Sequence, residues 1–275
     1  MNTAFIQGGN GVHLFTRSWG NPQNPAVIFL HGWSGSHASW KWQYESDLVE
    51  KFYLIAVDQR GSGYSEAPSD PTDYTSGDFY AQDIKGILDA HKVKRPVLVA
   101  WSFSGLVVAD YLARFGDGNI AGIVLTGSLF VTRPEGSQQM GPAAALVRDA
   151  LSPDLDLQYA GLKTFLQAMG GKPMTEDELA REAVVSMMTP PHVRAALLQR
   201  SVDHTTTWGA LQVPALILQG DDDQVVLPAT AQAFADLIPD ARLIMYEGIG
   251  HTPFREHANT VNRDLAHFVL NRASR

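Results

Sequence analysis

The sequence predicts an α/β fold: a mostly parallel eight-stranded sheet with helices on both faces and a helical cap inserted late in the chain. Three patterns lead there. Short apolar runs recur along the 275 residues, as strands covered on both faces require. Stretches with apolar residues every three or four positions separate several of these runs, which is the alternation of βαβ crossovers. Residues 128–207 then break the rhythm, carrying helical patterns and no buried strand.

A short strand near Ala4, Phe5 and Ile6 precedes a turn made by Gly8, Gly9, Asn10 and Gly11, and residues 12–16 alternate like an antiparallel strand with one wet face. Mostly continuous apolar runs at 26–30, 53–57, 97–100, 120–125, 215–218 and 242–245 bring the expected strands to eight. Among the helices, Tyr80, Ile84, Ile87, Leu88 and His91 mark one buried face, with Thr75 or Ser76 as the N-cap. Within 128–207, helices are expected over 143–150, 159–169, 175–188 and 191–202, the third opened by a capping box of Thr175 and Glu178. The core therefore comprises 1–127 and 208–275. The cap, 128–207, is expected over the carboxyl ends of the strands, where open α/β sheets bind ligands.

Composition narrows the function classes. A net charge of -8, with no basic cluster, opposes nucleic-acid binding, which needs a surplus of Lys and Arg on one face. The absence of cysteine excludes disulfides, thiolate metal sites and iron–sulfur clusters. Residues 1–11 lack the basic start and apolar stretch of a secretory signal, and no run is long enough for a membrane span, so a cytoplasmic protein with no membrane partner is expected. A homo-oligomer stays open.

The chemistry centres on Ser102, which lies between the apolar run 97–100 and a helical pattern opening at Phe103. A serine on such a strand-to-helix turn projects its hydroxyl clear of the sheet, where a base can reach it. Ala100 and Ser104 flank it at positions where close packing demands small side chains. His31, Gly32 and Trp33 follow the run 26–30, so the Trp33 N–H, with that of Phe103, can form a two-donor oxyanion hole. His31 itself is expected to brace that loop. Asp221, Asp222 and Asp223 follow the run 215–218, and His251 follows 242–245, so an acid and a base leave the same sheet edge as Ser102. A metal site at the three aspartates would need further oxygen ligands at defined spacing, and none is found.

These residues carry a resemblance. The ordered Ser102, aspartate loop and His251 resemble the α/β-hydrolase fold family, whose triad follows that chain order. The loop from Asp58 through Arg60, Gly61 and Gly63 to Ser65 is similar to the family's D-x-R-G-x-G-x-S turn. The resemblance places the acid at the last aspartate of G-x-x-D, which is Asp223, and implies a serine hydrolase of carboxylic esters needing no cofactor or metal. The substrate would be a small-molecule ester with a small to medium apolar acyl or aryl group, lined by Trp33, Phe103, Phe130 and Met140. Five methionines (Met140, Met169, Met174, Met187 and Met188) with Phe165 and Leu166 offer an apolar ceiling. Arg133, Arg181 and Arg194 are cap cations that the sequence does not place. Some similar proteins with tryptophan after His-Gly also act as perhydrolases or cofactor-free haloperoxidases. Lactones and ring-cleavage dienones, whose carbon–carbon bond is cleaved, are further substrate classes, and a ligand receptor on the same fold is the non-enzymatic alternative.

Overall fold

Eight strands form one sheet in the computed structural model, which describes residues 1–132 and 138–273. They are β1 (Asn2–Gln7), β2 (His13–Trp19), β3 (Ala26–Leu30), β4 (Tyr53–Val57), β5 (Val97–Trp101), β6 (Gly122–Thr126), β7 (Ala215–Gly220) and β8 (Ala241–Tyr246). Their spatial order is β1-β2-β4-β3-β5-β6-β7-β8. β1 pairs with β2, and β2 with β4, antiparallel; the other pairings are parallel. The expected strand count and the antiparallel entry match this sheet, but the wet face expected over 12–16 shrinks to His13, because Phe15 and Thr16 are buried; the mostly exposed strand is β1.

Alternation along each strand divides the core in two. Ile28, Leu30, Ile55, Val57, Leu98, Ala100, Ile123 and Leu125 face one side, while Val27, Phe29, Leu54, Ala56, Val97, Val99 and Val124 face the other. Because β3 to β7 are buried on both faces, their runs lack the polar half that a wet face would add. Helices of seven or more residues are α1 (Gly77–His91), α2 (Ser104–Phe115), α3 (Leu155–Gln167), α4 (Glu176–Met187), α5 (Pro191–Leu197), α6 (Pro228–Leu237) and α7 (Ala258–Ala273). Buried residues of α1, α2 and α6 join the first half of the core, and those of α7 join the second. Ser76 occupies the N-cap of α1, but its side chain makes no capping hydrogen bond. The Thr175 capping box does form, with each side chain bonded to the other residue's backbone N–H.

Between β6 and β7 the chain makes its long excursion. The helix expected over 143–150 is instead two short 3-10 segments, Pro142–Val147 and Asp149–Leu151, and the stretch ends at Pro153 before α3 begins. Antiparallel bridges from Val131 to Asp203 and from Met140 to Val226 tie the excursion down. Arg133 lies outside the described residues. No helix of the described residues is long and apolar enough to cross a membrane.

Leu98, fully buried at the middle of β5, reports on the sheet. Leu98→Ala is expected to lower the unfolding free energy by about 3 kcal/mol, through lost burial and a residual cavity. Urea denaturation followed by circular dichroism checks this, with an unchanged denaturant slope.

Candidate active site

The carboxyl ends of β3, β5, β6, β7 and β8 deliver the site. β5 ends at Trp101, and the next residue, Ser102, turns with φ +56°. L-residues rarely adopt that conformation. Three backbone hydrogen bonds hold it: the Ser102 N–H donates to Thr126 O at 3.0 Å, and its carbonyl accepts from Gly105 and Leu129 at 3.0 and 3.2 Å. The turn is crowded from three directions. A Cβ on Gly105 would lie 2.4 Å from the Leu129 oxygen, and one on Gly32 would lie 3.0 Å from the Ser102 Cβ. A Cβ on Gly127, itself at φ +51°, would lie 2.8 Å from the His251 ring. The Ser104 hydroxyl donates to the His31 carbonyl and accepts from Gln59 at 3.0 Å.

Of the three aspartates after β7, the fold selects one. Asp221 accepts from the Gly248 N–H and Asp222 from the Gly171 N–H, whereas Asp223, 1% exposed, lies 2.8 Å from the His251 Nδ1. Its other partners are all donors: the Gln219 amide at 2.9 Å on the same oxygen, and the N–H groups of Val225 and Val226 at 2.8 and 2.9 Å on Oδ1. Both oxygens therefore act as acceptors, the Nδ1–H of His251 points at Asp223, and Nε2 is left to accept a proton. Trp101 fixes the histidine from behind, its indole N–H donating to the His251 carbonyl at 3.1 Å.

A cavity of about 480 Å³ opens against these groups. Ser102 and His251 line it with Trp33, Trp101, Phe103, Leu129, Val131, Met140, Val147, Phe165, Met169, Leu197 and Val225 among others. Of the four residues expected against the substrate, Trp33, Phe103 and Met140 line this cavity. Phe130 does not: it is buried and packs edge-on against Phe234 with ring centroids 4.6 Å apart, turned into the core beside Trp208. Neighbouring residues on an extended segment face opposite ways, so Leu129 and Val131 reach the cavity while Phe130 cannot. Of the five methionines, only Met140 and Met169 line it.

Among the described residues, the backbone N–H groups of Trp33 and Phe103 donate to no protein acceptor. Behind their loop, the buried His31 donates from Nδ1 to the Gly32 carbonyl at 2.8 Å and accepts on Nε2 from the Gln59 N–H at 3.0 Å. Those partners define a neutral imidazole, and burial lowers its pKa from 6.5.

Several residues here carried no sequence signal. Glu256 is buried beside the histidine loop, where one carboxylate oxygen accepts from the Gly250 and Lys172 N–H groups and the other from Thr252. The Met169 carbonyl accepts from the N–H groups of both His251 and Gln224, joining the excursion to the two loops that bear His251 and Asp223. Arg200 touches the cavity, yet its side chain is fully buried in an ion pair with Asp110 at 2.7 Å, over the Phe103 ring. Gln219 alone left a trace, as a polar residue ending an apolar run.

The chain belongs to the α/β-hydrolase fold family, whose description matches residues 25–258. Its relatives include a bifunctional esterase/perhydrolase from Acinetobacter calcoaceticus, 29% identical over 96% of this chain and 99% of that protein. A non-heme haloperoxidase from Rhodococcus erythropolis is 30% identical over 96% of this chain and 98% of its own length. Among solved structures, an esterase from Rhodococcus sp. ECU1013 superposes with a TM-score of 0.93 at 32% identity, covering 99% of this chain and 100% of that one.

Two measurements test this geometry. Gly127→Ala should cut turnover of an aryl ester at least tenfold while circular dichroism stays native, because the new methyl group displaces the His251 ring. The neutral His31 sets a pH dependence of stability: its contribution is intact above about pH 6.5 and is lost as pH falls, because the unfolded chain takes up a proton that the fold refuses. Thermal unfolding between pH 7.5 and 5.5 should show this decline, and His31→Gln should flatten it by up to about 1.4 kcal/mol per pH unit.

Proposed function

We propose that this protein hydrolyses neutral carboxylic esters with small to medium apolar acyl or aryl groups, with Ser102 as nucleophile, His251 as base and Asp223 as the acid that orients it. The observation that carries the reading is a serine on a left-handed turn in the wall of the same apolar cavity as an imidazole whose Nδ1 is held 2.8 Å from a buried carboxylate.

His251 Nε2 takes the Ser102 proton as the hydroxyl attacks the ester carbonyl, and Asp223 stabilises the imidazolium that forms. The tetrahedral oxyanion is met by the N–H groups of Trp33 and Phe103, each worth about 3 kcal/mol of barrier. Collapse expels the alcohol, which carries away the proton from His251 and leaves an acyl-serine. Water, deprotonated by the same histidine, then releases the acid and restores the enzyme. Residues 128–207 act as the cap: Met140, Val147, Phe165 and Met169 close the acyl end of the cavity with hydrocarbon. A charged acyl terminus would be desolvated among these groups, and the cation at the cavity wall, Arg200, already has a counter-charge in Asp110.

A second reading concerns the acyl acceptor. The names of the esterase/perhydrolase and haloperoxidase relatives favour hydrogen peroxide as an alternative to water at the acyl-serine, with a peracid as product. One site serves both reactions, because peroxide needs the same proton removal.

Turnover of p-nitrophenyl esters of graded chain length tests the proposal. Ser102→Ala should lose about a thousandfold or more in kcat and its labelling by a fluorophosphonate, and a butyrate should outpace a succinate monoester. Wild-type rates in Ser102→Ala would sink the assignment.

A further inference from the structure

Arg194, on α5, is among the largest fully buried side chains of the molecule, and among the described residues no carboxylate pairs with it. Burial lowers its pKa to about 10, which leaves it charged at neutral pH. Its three nitrogens donate to neutral oxygens: Nε to the Ser34 hydroxyl at 2.9 Å, Nη1 to the Ala150 carbonyl at 2.6 Å and Nη2 to the Ser186 carbonyl at 2.8 Å. A buried guanidinium with no counter-ion is costly, and a hydrocarbon of similar size would weld two elements together more cheaply. The charge therefore calls for an account beyond packing.

Its contacts supply one. Ser34 is 2% exposed and strained at φ +58°, and its hydroxyl, while accepting from Arg194, donates to the Ser186 carbonyl at 2.9 Å. The preceding residue is held by the same arginine, since the Trp33 indole N–H donates to the Arg194 carbonyl at 3.2 Å. Two consecutive residues of the β3 loop, one of them in a rarely populated conformation, are thus both anchored to Arg194.

Resting on the serine-hydrolase reading above, we infer that Arg194 and Ser34 are positioning residues: through the Ser34 hydroxyl they fix the turn that aims the Trp33 N–H at the developing oxyanion. The peptide plane carrying that N–H lies between Gly32 and Trp33, one residue from the strained turn. The Trp33 indole is held by the backbone carbonyl of residue 194, so cutting the Arg194–Ser34 side-chain link frees the peptide plane while that apolar wall keeps its own anchor. Loss of the anchor should therefore appear in the chemical step rather than in binding.

Ser34→Gly separates this role from folding, because glycine accepts φ +58° without strain and only the hydroxyl link is lost. With p-nitrophenyl butyrate, kcat should fall ten- to a hundredfold, less than the loss from deleting an oxyanion donor, while KM stays within twofold and circular dichroism stays native at the assay temperature. Arg194→Met should show the same split, and the Ser34→Gly/Arg194→Met double variant should be no slower than the worse single variant, since both break one linkage. Wild-type kcat in Ser34→Gly, with turnover abolished in Ser102→Ala, overturns this inference and leaves the serine-hydrolase reading standing. Turnover retained in Ser102→Ala overturns both.

Discussion

A serine in the left-handed region is the constraint around which the site is arranged. Ser102 at φ +56° is disfavoured on its own, so its surroundings must leave it no alternative. Close approach provides this. The strand ends of β3 and β6 and the first turn of α2 converge so tightly that glycines stand at 32, 105 and 127, where any Cβ would meet backbone, Ser102 or the His251 ring. The same crowding that enforces the turn brings the loop of Gly32 and the ring of His251 against it. Strain, proximity and a gap too narrow for side chains have a common origin.

The sheet explains why such convergence survives on parallel strands with little side-chain chemistry of their own. β3 to β7 bury both faces, so their register is set by packing on two sides, and a slip would expose apolar residues on each. Loops leaving that edge inherit its rigidity. Asp223 shows the result: three donors, two from the loop and one from Gln219, hold its two oxygens, so the carboxylate presents a fixed acceptor to His251 and not a mobile charge. The excursion between β6 and β7 adds restraint from above, through the Met169 carbonyl on two loops and Arg194 on a third. In this molecule the cavity's roof and its chemistry are mechanically one object.

Much of this was legible in residues whose type follows from local physics. Apolar runs fit doubly covered strands, Thr175 with Glu178 fits a capping box, and a serine between a strand and a helix fits an exposed hydroxyl on a tight turn. Phe130 was misplaced because nothing local distinguishes an aromatic that faces a cavity from one that faces the core; a shift of one position along an extended segment reverses the answer. The segment 143–150 was misread for a related reason: its alanines favour helix, but the choice between α and 3-10 turns lies with what they pack against.

The sequence by itself determined the order of secondary structure, the composition of both halves of the core and the chemical types available at one sheet edge, because periodicity and turn chemistry act over a few neighbours. Only the tertiary structure decided that Asp221 and Asp222 turn to Gly248 and Gly171 while Asp223 is held by Gln219, that Glu256 braces the histidine loop, and that Arg194 reaches Ser34 across 160 positions of chain. Those outcomes depend on distances between segments remote in sequence, and such distances exist only once the sheet has closed and its loops have been packed together.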